Sequence, residues 1–136
     1  MTTGLTVTKQ VHFRIGRGKR KVMREGAAPE KPKVNTVPRL SRLMALAIRM
    51  RRLVDAGQVA DYADLARLAY VSRARITQIM NLLHLAPDIQ EDILFLPATD
   101  GGRAPIREKM VRPIAAVPDW RKQRQMWKEL NRTATP

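Results

Sequence analysis

From Arg39 to Ala56 the chain carries neither glycine nor proline and is built from strong helix formers. Leu40, Leu43, Met44, Ala47, Ile48 and Val54 recur at steps of three and four, so a helix gathers them into one apolar stripe. Arg42, Arg49 and Arg52 fall off that stripe, and Gly57 follows where a helix end favours positive φ. A stripe of this length needs apolar partners, and the residues downstream supply them at the same period. An all-α fold is the expectation. Composition agrees with it: aromatic residues make up only 4% of the chain, so the core must come from Leu, Ile, Val, Met and Ala. At 136 residues, 44% of them hydrophobic, there is material for one modest domain.

The helices that follow are punctuated by their caps. Asp61 suits an N-cap, whose carboxylate accepts from the N–H of the third helical residue, and a short helix runs from there to about Ala69. Leu65, Ala66 and Leu68 are expected inward on it. Val71 and Ser72 mark a turn, and Ser72 can cap a next helix from Arg73 to about His84, with Ile76, Ile79, Met80 and Leu83 inward. Pro87 suits a first helical position, with Asp88, Glu91 and Asp92 complementing the helix N-terminus. Ile89, Ile93, Leu94 and Leu96 give that helix its buried face, and Pro97 stops it. A loop from Thr99 to Arg103 precedes a helix over Ile106–Ala116, broken or kinked at Pro113. A last helix is expected from Trp120 to about Leu130, with a frayed tail beyond.

The N-terminal part has a different grammar. Residues 5 to 15 alternate, with Val7, Lys9, Val11, Phe13 and Ile15 on one side and Thr6, Thr8, Gln10, His12 and Arg14 on the other, which is the period of a strand with one largely apolar face. Gly16 to Lys19 can turn that strand back through Arg20 to Arg24, giving a basic hairpin; a disordered arm is the alternative, since a lone hairpin is barely stable in water. Pro29, Pro32 and Pro38 then forbid a continuous helix and favour an extended linker. The expected organisation is a basic arm or hairpin with its linker over 1–38, a helical domain over 39–131 and a tail over 132–136.

The formal net charge is +14, which points to a polyanionic partner. The chain has no cysteine, and His12 and His84 lack neighbours at ligand spacing, so neither a metal site nor a cofactor is expected. No catalytic constellation is visible, and the chain is not expected to be an enzyme. No run of about 18 apolar residues offers a membrane span, and the first residues lack the pattern of a signal peptide. A cytoplasmic protein associated with a bacterial or phage nucleoid is the expectation.

Residues 61–85 bring charge and pattern together. A helix, a tight turn and a second helix form a helix-turn-helix if a small residue sits at their crossing, as Ala66 does, and if Leu65, Val71, Ile76 and Ile79 hold the pair to a first helix. The second helix then presents Ser72, Arg73, Ala74, Thr77, Gln78 and Asn81 outward. Arg can donate twice to guanine, and Gln or Asn can pair with adenine, so Arg73, Thr77, Gln78 and Asn81 are the candidate base readers. Ser72 and Arg75 are candidate phosphate contacts, as are Arg14, Arg17, Lys19, Arg20 and Lys21 of the arm. Trp120 and Trp127, seven residues apart on one helix face, are expected to pack on the core rather than to stack on bases, with a dimer contact as the third possibility.

Leu65-Ala66, Val71-Ser72-Arg73, Leu82-Leu83, Leu85 and Pro87 to Gln90 together resemble the helix-turn-helix segment of the ParB/KorB-like DNA-partition family. The resemblance covers roughly residues 59 to 131, strongly in the motif and weakly after it. Tyr70 departs from it, standing where that family usually has glycine. Residues 1 to 58 match nothing of the family's nucleotide-binding domain, and no segment looks like its dimerisation domain. The chain is also similar to small stand-alone helix-turn-helix proteins that accompany large serine recombinases on mobile elements. The resemblance implies sequence-specific binding of double-stranded DNA by a homodimer on an inverted repeat. The role would be a regulator or an accessory factor in recombination or partition, with a recombinase as a possible protein partner. The alternative is a helical adaptor that docks on another protein through its apolar and Trp face and binds nucleic acid only non-specifically.

Overall fold

The computed structural model describes residues 4–30, 35–100 and 103–134, which fall into two units, Met1–Lys33 and Val34–Pro136. Pro32 of the expected linker, Gly101 and Gly102 of the expected loop, and the terminal Thr135 and Pro136 lie outside the described residues.

The first unit is an antiparallel hairpin of β1 (Val11–Ile15) and β2 (Lys21–Glu25). A single turn of 3-10 helix, Arg17–Lys19, joins them, and Gly18 and Lys19 both take positive φ there. The register pairs Val11 with Glu25, Phe13 with Met23 and Ile15 with Lys21, which gives one largely apolar face. His12 faces Arg24 and Arg14 faces Val22 on the other side. The strand begins at Val11 and not at residue 5, because β2 ends at Glu25. Gly26, at φ +96°, turns the chain away after one last bond from its N–H to the Gln10 carbonyl.

The second unit is helical. It opens before the expected boundary at Arg39: Thr36 and Thr99 exchange both backbone bonds at 3.0 Å, so the linker's last residues belong to the domain. Helix α1 (Arg39–Asp55) buries Leu40, Met44, Ala47 and Met50 and leaves Arg42, Arg49 and Arg52 exposed. It ends as Gly57 foretold. At φ +70° the Gly57 N–H reaches the Val54 carbonyl and the Gln58 N–H reaches that of Leu53, both at 3.0 Å.

Helices α2 (Tyr62–Ala69) and α3 (Arg73–Met80) lie against each other and, through α3, on α1. The chain continues from α3 into a 3-10 turn, Asn81–His84. That tightening changes which leucine goes inside: Leu82 is buried, whereas the expected Leu83 is half-buried. Helix α4 (Pro87–Leu94) packs on α1 with Ile89 and Ile93. Helix α5 (Glu108–Ala115) packs on the 3-10 turn, starts two residues later than expected and keeps Pro113 inside it. Helix α6 (Trp120–Ala134) closes the domain against α5. It does not fray at Asn131, because Leu130 and Ala134 still pack on the core.

Two further expectations fail for a geometric reason. Leu68 is 65% exposed and Val71 41% exposed, although both were expected inward. An eight-residue helix buries only the stripe Tyr62, Leu65, Ala66, and at about 100° per residue Leu68 falls 60° beyond its edge. Val71 follows the left-handed Tyr70, which swings the chain out of the core.

Polar side chains hold the corner after α3. The wholly buried Gln123 of α6 accepts from the Ala86 N–H at 2.8 Å and donates to the carbonyls of His84 (3.1 Å) and Val117 (2.7 Å). Gln90 of α4 donates to the carbonyls of Leu83 (3.0 Å) and Leu85 (2.9 Å). Four consecutive residues that have left the helix therefore find partners in two glutamines, which answers the demand of buried backbone groups.

Candidate nucleic-acid interface

The turn between α2 and α3 comes from local chemistry. Asp61 caps α2 by accepting from the Asp64 N–H at 2.9 Å, and Asp64 in turn pairs with Arg67. The helix ends at Tyr70, whose φ of +54° lets its N–H reach Arg67 and lets the Val71 N–H reach Ala66 (3.1 Å). This is the closure glycine usually supplies, carried here by a residue whose side chain is 95% exposed. Ser72 then caps α3, its Oγ accepting from the Arg75 N–H at 3.1 Å.

Capping leaves the outer face of α3 to solvent. Arg73, Ala74, Thr77, Gln78 and Asn81 are all exposed, while Ile76, Ile79 and Met80 anchor the opposite face. The Thr77 hydroxyl donates to the Arg73 carbonyl at 3.1 Å and keeps its lone pairs outward. Ser72 keeps its hydroxyl hydrogen for an external acceptor, since its cap bond uses the oxygen.

Arg75 stands apart from the role expected of it. Its guanidinium donates to both oxygens of Glu108, at 2.6 and 3.0 Å, and to the Gln78 side-chain oxygen at 3.2 Å. Both partners of the pair are half-buried. The hydrogen bond raises the pKa of Arg75 and holds the Glu108 carboxyl below the usual glutamate range, with desolvation opposing the shift in each case. The arginine expected at a phosphate is thus committed to α5. It ties α3 to α5 and bonds the side chain of Gln78.

Glu108 is the residue that sequence reasoning missed. Its place in the first turn of α5 suits the helix dipole, but nothing in the sequence connects it with Arg75, 33 positions away. Arg112, one turn further on, also donates to Glu108, at 3.3 Å. It borders a groove of about 220 Å³ that Gln78, Asn81 and His84 line from the other side. The exposed face of α3 therefore has a cationic neighbour on α5.

The hairpin gathers cations of its own. Arg14, Arg17 and Arg24 surround a groove of about 230 Å³, and Lys19, Arg20 and Lys21 are exposed beside the turn. The two tryptophans separate. Trp127 is buried and donates to Asp92 at 2.9 Å, whereas Trp120, at the first residue of α6, is 47% exposed.

Among the described residues no group of three or more His, Asp or Glu side chains could hold a metal ion, and no helix is long and apolar enough to cross a membrane. Comparison with family models, with curated proteins and with solved structures returns no match for this chain.

Proposed function

We propose that this protein binds double-stranded DNA sequence-specifically, with α2 and α3 as a helix-turn-helix of the ParB/KorB-like type and α3 in the major groove. One observation carries the reading: α3 presents Arg73, Thr77, Gln78 and Asn81 on one exposed face, in a chain of net charge +14, while Arg75 ties it to α5 through Glu108. Those side chains match the donor and acceptor patterns of guanine and adenine edges. Ser72 and the start of α3 suit a flanking phosphate, and the hairpin cations suit sequence-independent contacts along the backbone. A homodimer on an inverted repeat, serving regulation, recombination or partition on a mobile element, completes the proposal.

The adaptor reading keeps less support, since the Trp face it needs is half spent on the core through Trp127. Selection from a random duplex pool tests the choice. Enrichment of a palindrome is expected; no enrichment would favour the adaptor. Ala at Arg73, Gln78 or Asn81 should each cost about 1–3 kcal/mol on the selected site and far less on random duplex. Unchanged specificity in all three variants would remove α3 as the reader.

A further inference from the structure

A second groove, of about 340 Å³, is lined by the first residues of both α1 and α5. Arg39, Arg75, Arg107, Lys109 and Arg112 line it, against the single carboxylate of Glu108. That carboxylate is already committed, to Arg75 through both oxygens and to Arg112. Arg39, Arg107 and Lys109 are exposed and have no ion-pair partner among the described residues.

The placement of these cations is unfavourable as it stands. Arg39 is the first residue of α1, Arg107 immediately precedes α5 and Lys109 is in its first turn. A helix start carries partial positive charge and favours anions. Neither start has a side-chain cap. Two uncapped helix starts and three unpaired cations around one groove form a positive site that an external anion would reverse from repulsive to favourable.

We infer that this groove holds a phosphodiester of the DNA backbone next to the tract read by α3. Arg39, Arg107 and Lys109 are its ligands, and Arg112 is shared between this groove and the one beside Gln78 and Asn81. The inference rests on the duplex-binding reading and deepens it. Glu108 acts as a positioning residue here: it withdraws Arg75 from the anion and leaves the exposed cations to it.

The test measures affinity of the full chain for duplex DNA, selected and random, across a salt series. Each phosphate neutralised adds about 0.9 to the slope of log K against log salt. Arg107→Ala/Lys109→Ala should therefore lower the slope by about 0.9 and weaken both duplexes alike, leaving their affinity ratio unchanged. Arg39→Ala should move the slope in the same direction and serves as the second variant if the double one melts early by circular dichroism. Lys122→Ala/Lys128→Ala on α6 removes equal charge from outside the groove and should change the slope by less than half as much. A slope no lower in the groove variants than in this control overturns the groove while leaving the α3 reading intact. Wild-type protein that fails to bind any duplex overturns both.

Discussion

Gln123→Met isolates the polar fastening of the corner after α3. Methionine preserves the unbranched length of the side chain but can neither accept from the Ala86 N–H nor donate to the carbonyls of His84 and Val117. The three bonds are unequal. Ala86 is fully buried and has no second backbone acceptor, so its orphaned N–H carries the full penalty of about 1–3 kcal/mol. His84 is exposed and Val117 half-buried, so water can reach their carbonyls and each costs only about 0.5 kcal/mol, the low end for a broken hydrogen bond. Added apolar burial returns part of the sum. A net destabilisation of about 2–3 kcal/mol is expected, a large share of the roughly 5–15 kcal/mol that holds a domain together. Urea unfolding followed by far-UV circular dichroism should show the midpoint falling by about 1–2 M at an unchanged slope. Gln123→Glu, which keeps an acceptor but turns a carboxylate toward two carbonyls, should be worse. A destabilisation under about 1 kcal/mol in both variants would refute the claim that these three bonds hold the corner after α3.

Three other perturbations probe the same chain. Tyr70→Gly should stabilise the domain by up to about 1 kcal/mol: relief of left-handed strain, about 1–2 kcal/mol, outweighs the added freedom of the unfolded chain, about 0.4–1 kcal/mol. Tyr70→Ala should bring no such gain, and a glycine variant that melts below wild type would show that the exposed ring contributes to stability. The Glu108 carboxyl titrates below its unfolded value, so its contribution is present above the ordinary glutamate range and disappears as pH falls through the lowered folded value. Glu108→Gln should therefore flatten the acid side of the stability profile, and an unaltered profile would deny Glu108 that role. Arg14→Ala/Arg17→Ala/Arg24→Ala in the hairpin should weaken selected and random duplex equally and lower the salt slope by at most about 0.9 for each phosphate no longer neutralised. A change confined to the selected site would mean the hairpin reads sequence.

Recognition of the helices needed little beyond local pattern. Asp61, Ser72, Gly57 and Pro87 each sit where their own backbone or side chain dictates a helix end, and the structure places them at those ends. The outer face of α3 was legible for the same reason, since its exposed positions are those left over by Ile76, Ile79 and Met80. Leu68 was misplaced because apolarity alone does not say how wide a buried stripe a short helix has, and Val71 because a left-handed turn at a tyrosine is not written in local pattern. The shared face of Trp120 and Trp127 did not reveal that only Trp127 would be buried, with Trp120 standing at the first residue of α6.

While it left the hairpin open against a disordered arm, the sequence by itself determined the helical class, the caps and the types of side chain offered by α3. These follow from interactions within a few residues, so short-range spacing carries them. Only the tertiary structure decided what Arg75 does. Glu108 comes to it from another helix, and that pairing turns a free cation into a tie between α3 and α5. The groove at the starts of α1 and α5 has the same origin: Arg39 is far in sequence from Arg107 and Lys109, yet all three line it.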